Sequence, residues 1–571
     1  MRALAAFLSL SILPSLTRAA SLSKFGTRDE QAGLGWHFVQ NGTSGIIALE
    51  SIIVSDTLAI FFDNSTNNPM QINGHPAWGA LWNMETNTAT PLDVLSNTFC
   101  ASGGFLSNGT MVSTGGDYAN LTGAYDGRMA LRIFEPCNDP SGATCRLIED
   151  LEHLTLAEMR WYPSTARIFD GSLMIVGGAS TQVAFSNDHP VNNLEFFPKK
   201  DGGVPRPLEV LERSLPVNLF PRVFALPDGK VLMIASNQTI IYNIETDEET
   251  ILPDIPNGVR VTNPYDGTAT LLPLHPPDYV PEILVCGGSN ASDTIPPAQL
   301  SSQHPASDQC SRMTVTPEGI KRGWKIERML EGRTMNEMIL MPNGKVLIIN
   351  GAQTGYAAFN AVQDLIGSAD ADHPALTPSL YSPDAPLGQR ISNAEMPTTD
   401  IPRVYHSSVT LTPKGNLLIA GSNPNGGIVN DTIFHSEYRV EYLNPPYMTV
   451  ARPQLLNVPQ KLGFNHEFTV DVVIPPRLDT RASSIQVALM DLGFSSHAFH
   501  SSSRLVFMTA KLGSKSGNTR KLTIRTPPNN RVYPPGPAYV FLTVDDVTST
   551  GVRIMMGDGS SPPVRDQGVS L

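Results

Sequence analysis

Short, wholly apolar runs recur along this chain at intervals of about fifty to seventy residues. They read GTMVSTGG at 109–116, GSLMIVGG at 171–178, GKVLMIAS at 229–236, EILVCGGS at 282–289, GKVLIING at 344–351 and GNLLIAGS at 415–422, and a less regular copy, DTLAIFFD, lies at 56–63. A run of five or six apolar residues between turn signals predicts a strand buried on both faces. The interval is too long for a helical solenoid unit and suits four short strands with their loops. Small residues at the ends of the runs, often paired glycines, let backbones approach closely.

The strand-then-Gly-Gly signature resembles that of kelch-type propeller blades. Seven copies imply a seven-bladed β-propeller, expected over 21–447, closed so that only short, protected edges remain. A β-sandwich or a solenoid is the rival architecture. After YLNPPYM the pattern changes to alternating segments, FTVDVVI (468–474), SIQVALM (484–490), RLVFMTA (504–510), KLTIRT (521–526) and AYVFLTV (538–544), separated by Pro- and Asn-rich turns. Such spacing predicts a C-terminal immunoglobulin-like β-sandwich over 448–556. The fold class is therefore all-β. The polar stretch 557–571 is expected to be an unstructured tail.

Composition agrees with this pattern. Gly (46) and Pro (47) are abundant in the 571 residues, and both are costly inside helices. A net charge of −13 with no basic run argues against a nucleic-acid partner. Residues 1–20, MRALAAFLSLSILPSLTRAA, read as a secretory signal peptide. One Arg precedes a short apolar run that ends in small residues, and Pro14 and Arg18 interrupt it too soon for a bilayer span. Its removal with Arg2 and Arg18 takes the net charge from −13 to −15. Secretion is supported by N-x-[ST] sequons at Asn41, Asn64, Asn108, Asn120, Asn237, Asn290 and Asn430. No membrane partner and no oligomer are expected. Disulfides are the default for cysteines in an oxidising compartment. Of the five cysteines, Cys137 and Cys145 enclose a short loop and Cys286 and Cys310 a longer one, which leaves Cys100 without a partner.

Four segments carry groups capable of metal or redox chemistry: SNTFCASGGFLSNG with Cys100, RWYPSTARIFDGSLMIVGG with Tyr162, PRVYHSSVTLTPKGNLLIAGS with Tyr405 and His406, and LMDLGFSSHAFHSSSRLVFM with His497 and His500. The first three lie just before a blade's inner strand, where the chain emerges near the axis. Each alone has an ordinary explanation: a buried thiol, a core aromatic, loop histidines. Adjacent residues on a regular strand face opposite ways, so Tyr405 and His406 can share a metal only if the backbone departs from strand geometry.

Taken in order on a propeller followed by a sandwich, these segments resemble the copper radical oxidases, the glyoxal oxidase and galactose oxidase family, with wording closer to the glyoxal oxidase branch. The resemblance implies one Cu(II) held by Tyr162, Tyr405, His406 and His497, the last supplied by the C-terminal domain. It also implies a thioether between Cys100 and Tyr162 as a protein-derived radical cofactor. Two imidazoles and two phenol oxygens form a mixed N,O set suited to Cu(II). A two-electron oxidation with one copper needs a second redox centre, and a tyrosyl radical supplies it. The implied activity is secreted oxidation of small aldehydes of the glyoxal or methylglyoxal type, as their hydrates, to carboxylic acids. Dioxygen would be reduced to hydrogen peroxide, and peroxide-using enzymes are candidate partners. Tyr405 would act as the base and Tyr162 as the hydrogen-atom acceptor.

Two departures from the family pattern stand out. Where galactose oxidase has a tryptophan after the second Gly-Gly, this chain has Ser180, and the stacking partner of the radical has to come from elsewhere. SHAFHSSSR also lacks the acid and amide of the family's HxxNxDxR pattern, and His497, which keeps the preceding serine, is preferred to His500. The rival activities are primary-alcohol oxidation by the same chemistry and a non-catalytic propeller that binds glycans or proteins.

Overall fold

A computed structural model describes residues 35–118, 123–137 and 139–563. The expected signal peptide and the sequon at Asn120 lie outside the described residues. Seven antiparallel sheets are arranged as propeller blades. Their innermost strands are, for blades I to VII, Glu50–Ile53, Ser102–Phe105, Ser164–Arg167, Arg222–Ala225, Gly267–Leu271, Glu337–Leu340 and Ser407–Leu411. The apolar runs seen in the sequence form the second strand of each blade, from Leu58–Phe62 to Leu417–Gly421, with both faces covered by neighbouring blades. The ring is closed by His37–Thr43, which pairs antiparallel with Arg439–Asn444 as the outermost strand of blade VII. The first and last parts of the ring thus share one sheet, which leaves no open blade edge between them.

The paired glycines have a specific use. Gly178 has φ +98°, and a Cβ there would lie 2.7 Å from the Trp161 carbonyl oxygen. This close approach lets Trp161 exchange backbone hydrogen bonds with Ala179 at the entrance of blade III. Cys137–Cys145 and Cys286–Cys310 are disulfide-bonded, and Cys100 is free and buried.

The C-terminal domain is an immunoglobulin-like sandwich. Its long strand Arg504–Ser516 pairs with Ile485–Asp491 through its first half and with Thr519–Arg525 through its second, so it passes from one layer to the other. Between the layers lie Val470, Val472, Leu522 and Ile524 on one side and Val487, Leu489, Val540 and Leu542 on the other. From this domain a hairpin, Phe494–Ser496 and Phe499–Ser501, enters the propeller and adds to the innermost strand of blade I, with Glu50 opposite Ser496 and Ile52 opposite Phe494. The described part of the expected tail, 557–563, forms no helix or strand, and some of its residues bond to the body of the protein. Leu462 O accepts from Gly557 N at 2.8 Å and Ser560 O accepts from Ser107 Oγ at 2.8 Å, while 564–571 lie outside the described residues.

Candidate metal centre

Cys100, Tyr162 and His406 each stand one or two residues before an innermost strand, of blades II, III and VII. All three have a left-handed backbone, with φ +62°, +61° and +59°, and Phe220 before blade IV repeats this at +48°. A non-glycine residue there costs about 1–2 kcal/mol, and such strain persists only where surrounding bonds hold it. Here the backbone bonds Tyr162 N to Cys100 O (3.2 Å), Phe220 N to Tyr162 O (3.1 Å) and Asn423 N to Tyr405 O (2.8 Å) link one loop to the next. At His406 the left-handed turn breaks the alternation of a strand. The rings of Tyr405 and His406 accordingly stack, centroids 3.7 Å apart and planes 21° apart, instead of facing opposite ways.

His497 reaches the same place from the other domain. It and Ala498 are the two central residues of the hairpin turn, both with positive φ (+48° and +59°), the pairing that a two-residue hairpin with primed turn geometry requires. Arg222, wholly buried, donates to the His497 carbonyl at 3.2 Å and to Asp266 at 2.9 Å. His500 does not reach the centre. Its Nε2 lies 2.7 Å from the Val409 carbonyl oxygen and 3.2 Å from a Glu337 carboxylate oxygen.

The donors converge. The Cys100 sulfur is 3.3 Å from His497 Nε2 and 3.9 Å from His406 Nε2, and the ligand atoms of these three residues lie within 4.8 Å of one another. The Tyr162 and Tyr405 hydroxyls hydrogen-bond each other, and the Cys100 thiol interacts directly with the Tyr162 phenol. His406 Nδ1 donates to the Asn423 carbonyl at 2.8 Å, and His497 Nδ1 pairs with Ser496 Oγ at 2.8 Å. Both rings therefore turn Nε2 inward. Burial pushes His406 down to about 4 and His497 well below the usual imidazole range, so both are neutral with lone pairs available. Burial likewise pushes the Cys100 thiol and the Tyr162 and Tyr405 phenols up, which keeps them protonated until a cation arrives. Neutral imidazoles and ionisable phenols in a dry pocket fit a borderline N,O-seeking ion such as Cu(II).

Ser180 makes no stack on Tyr162. The ring is instead bordered by Trp161, edge-on at 4.2 Å and 76°, by Phe220 at 4.7 Å and by His497 at 4.8 Å. Sequence reasoning missed Trp161 and Phe220. The only signal for Trp161 was its place beside Tyr162 in RWYPS, and strand alternation argues against neighbours sharing a site until the positive φ of Tyr162 is known.

A cavity of about 440 Å³ opens onto the two phenols. Trp161, Phe185, Leu219 and Ala357–Phe359 supply apolar walls, Asn263, Gln182 and Asn360 polar ones, and no charged side chain lines it among the described residues. Asn263 Nδ2 donates to the Tyr405 hydroxyl at 3.3 Å and to the Ala357 carbonyl at 3.0 Å.

Comparison with known proteins accords with this geometry. Residues 63–447 match the family described as glyoxal oxidase N-terminus, and 452–556 match the galactose oxidase-like early set domain. The propeller, the early set domain and the donor cluster define an oxidoreductase of the copper radical oxidase class. Within that class, the chain belongs to the glyoxal oxidase family. It is 32% identical over 475 residues to the aldehyde oxidase GLOX of Vitis pseudoreticulata, covering 81% of this chain and 83% of the relative. Identity to the aldehyde oxidase GLOX1 of Arabidopsis thaliana is 29% over 494 residues, covering 84% and 75%. A solved fungal alcohol oxidase of the AA5 family, in complex with copper, superimposes with TM-score 0.66 at 14% identity over 92% of this chain and 100% of that one, which shows the shared fold.

Proposed function

We propose that this chain is a secreted oxidase of small aldehydes of the glyoxal or methylglyoxal type, acting on the hydrate: RCH(OH)2 + O2 gives RCOOH + H2O2. The observation that carries the reading is the convergence of Tyr162, Tyr405, His406 and His497, with Cys100 against Tyr162, at the mouth of an uncharged cavity. These four residues would hold the copper. Bound copper would supply one-electron oxidising capacity and polarise a substrate hydroxyl. Tyr405, held by Asn263, accepts the hydroxyl proton, and Tyr162 in its radical form accepts the hydrogen atom from carbon. Joined to Cys100 by a thioether, Tyr162 stores the radical. The bond forms with loss of one hydrogen from the thiol and one from the ring carbon, the two electrons and two protons passing to dioxygen as peroxide.

The cavity supports a small neutral substrate. An aldehyde hydrate meets no charge there, and the carboxylate product meets no cation that would retain it. The two disulfides and the leader-like residues 1–20 support secretion.

The test is peroxide release by the copper-loaded protein across a panel of aldehydes and primary alcohols, with intact mass measured on the same sample. Glyoxal or methylglyoxal is expected to be turned over fastest, on a chain lacking two hydrogens beyond those lost to the disulfides. Faster turnover of a primary alcohol than of every aldehyde would replace the substrate assignment. An unmodified Cys100–Tyr162 pair in an active enzyme would remove the thioether.

A further inference from the structure

The hairpin that carries His497 has one side anchored and one side bare of backbone partners. Phe494–Ser496 pairs with blade I, whereas Phe499–Ser501 is the edge of that six-stranded sheet. Side chains meet this edge instead: Ser102 Oγ pairs with Ser501 Oγ at 3.0 Å, Phe224 packs edge-on against Phe499, and one carboxylate reaches both strands of the hairpin. Glu337 begins the innermost strand of blade VI and is 1% exposed. Its Oε2 accepts from Ser495 Oγ at 2.9 Å and from Val409 N at 3.1 Å, and lies 3.2 Å from His500 Nε2. Its Oε1 accepts from Ser407 Oγ at 3.4 Å. Ser495 and His500 face each other across the hairpin, two and three residues from His497. Ser407 and Val409 lie on the strand that starts directly after His406. His500 Nε2 also donates to the Val409 carbonyl at 2.7 Å, so the same strand is gripped twice.

We infer that Glu337 is a positioning residue for the metal centre, locking the hairpin to the strand after His406 so that His497 and His406 turn their Nε2 atoms to one point. The inference rests on the reading of these two histidines as copper ligands. A carboxylate suits the task because it accepts several hydrogen bonds at once, and every group facing it here is a donor. A carboxamide of the same shape turns one of those acceptors into a donor opposed to donors, which leaves the fold in place while loosening the tie. Direct partners of metal-binding histidines typically contribute about 10–100-fold to metal affinity, and Glu337, which acts through the backbone that carries them, is expected at the lower end of that range.

The experiment measures Cu(II) affinity, with the metal alone as the probe, and the Cu(II) electron paramagnetic resonance spectrum. It compares the full chain, Glu337→Gln, His497→Ala and the double variant. Glu337→Gln is expected to bind copper about 10-fold more weakly with a changed spectrum, while its thermal midpoint stays close to wild type. In the His497→Ala background the same change should cost no further affinity, because residues that act through one another are not additive. Purely structural damage would add in full. Wild-type affinity in Glu337→Gln, or additive losses, overturns the inference. Loss in His497→Ala without loss in Glu337→Gln overturns it alone, whereas undiminished affinity in His497→Ala overturns the ligand reading and this inference with it. Should Glu337→Gln not fold, Ser495→Ala removes one bond only and is expected to weaken copper binding several-fold, again only when His497 is present. Wild-type affinity in Ser495→Ala would then overturn the inference.

Discussion

The sulfur of Cys100 lies 3.3 Å from Nε2 of His497, although 397 residues separate them in the chain. The first stands at the entrance of blade II, the second at the turn of a hairpin that belongs to the other domain. Their contact exists because that hairpin runs into the propeller as an added strand of blade I, placing its turn among the loops that bear Tyr162, Tyr405 and His406. The centre is thus shared between two domains, and neither contains it alone.

Replacing Cys100 with alanine removes the proposed half-cofactor while leaving the four proposed metal donors. Turnover is expected to fall by at least about 1000-fold, roughly 4 kcal/mol of barrier, with copper still bound. Peroxide assays at matched copper content check this. Full peroxide output from the alanine variant would sink the radical scheme.

Tyr405→Phe deletes the phenol that hydrogen-bonds Tyr162 and Asn263. With the three other proposed donors left, copper content should change little, while kcat drops about 100–10,000-fold through loss of the proposed base and KM moves far less. Steady-state kinetics on copper-matched samples decide the matter, and an unchanged kcat would exclude Tyr405 as the proton acceptor.

The buried imidazoles make a contribution of definite sign to the pH dependence of the metal-free protein. His406 titrates near 6.5 when unfolded and is pushed down to about 4 by burial in the folded chain, and His497 is pushed lower still. At these two sites the unfolded state binds more protons, so their share of the stability rises with pH across this window, against the opposite contribution of Asp63, Asp117 and Asp266, whose carboxyls burial pushes up to about 7. The contribution is complete above about pH 6.5 and is lost progressively toward pH 4, on the order of 3 kcal/mol for His406. Urea midpoints of the metal-free wild type and of His406→Ala between pH 4 and 7 isolate the share of His406, which is the difference between the two slopes. Identical slopes would contradict a neutral, buried His406.

Cys286 and Cys310 face each other across neighbouring strands of blade V and close a loop with a sequence separation of 24. Opening it in Cys286→Ala/Cys310→Ala is expected to cost about 3 kcal/mol of stability by the chain-entropy relation and to leave copper affinity untouched, since none of the proposed metal donors lies in blade V. Denaturant melts and copper titration of the double variant measure the two effects separately. A copper affinity that falls with the stability would mean that blade V helps hold the centre.

Much of the architecture was legible because buried strands have a strong local signature. The second strand of a blade is largely apolar on both faces, and its flanking glycines answer a close backbone approach such as that of Gly178 to Trp161. Other features carry no local signature. Trp161 and Tyr162 are neighbours that period-two reasoning sends apart, and only the positive φ of Tyr162 brings both to one place. Glu337 is an unremarkable acid in the sequence, and its role comes from partners 70 to 163 residues away.

By itself the sequence determined the repeat, the all-β class and the types of side chain available for redox chemistry. These depend on apolar periodicity, turn residues and functional groups, all of which are written locally. Only the tertiary structure decided that His497 and not His500 meets Cys100, that Tyr405 and His406 share a side, and that an uncharged cavity opens onto the phenols. Those outcomes depend on left-handed turns stabilised by bonds between successive blades, and on a hairpin whose backbone partner lies in another domain. Such long-range hydrogen bonding sets where each group points, and no local pattern in the chain encodes it.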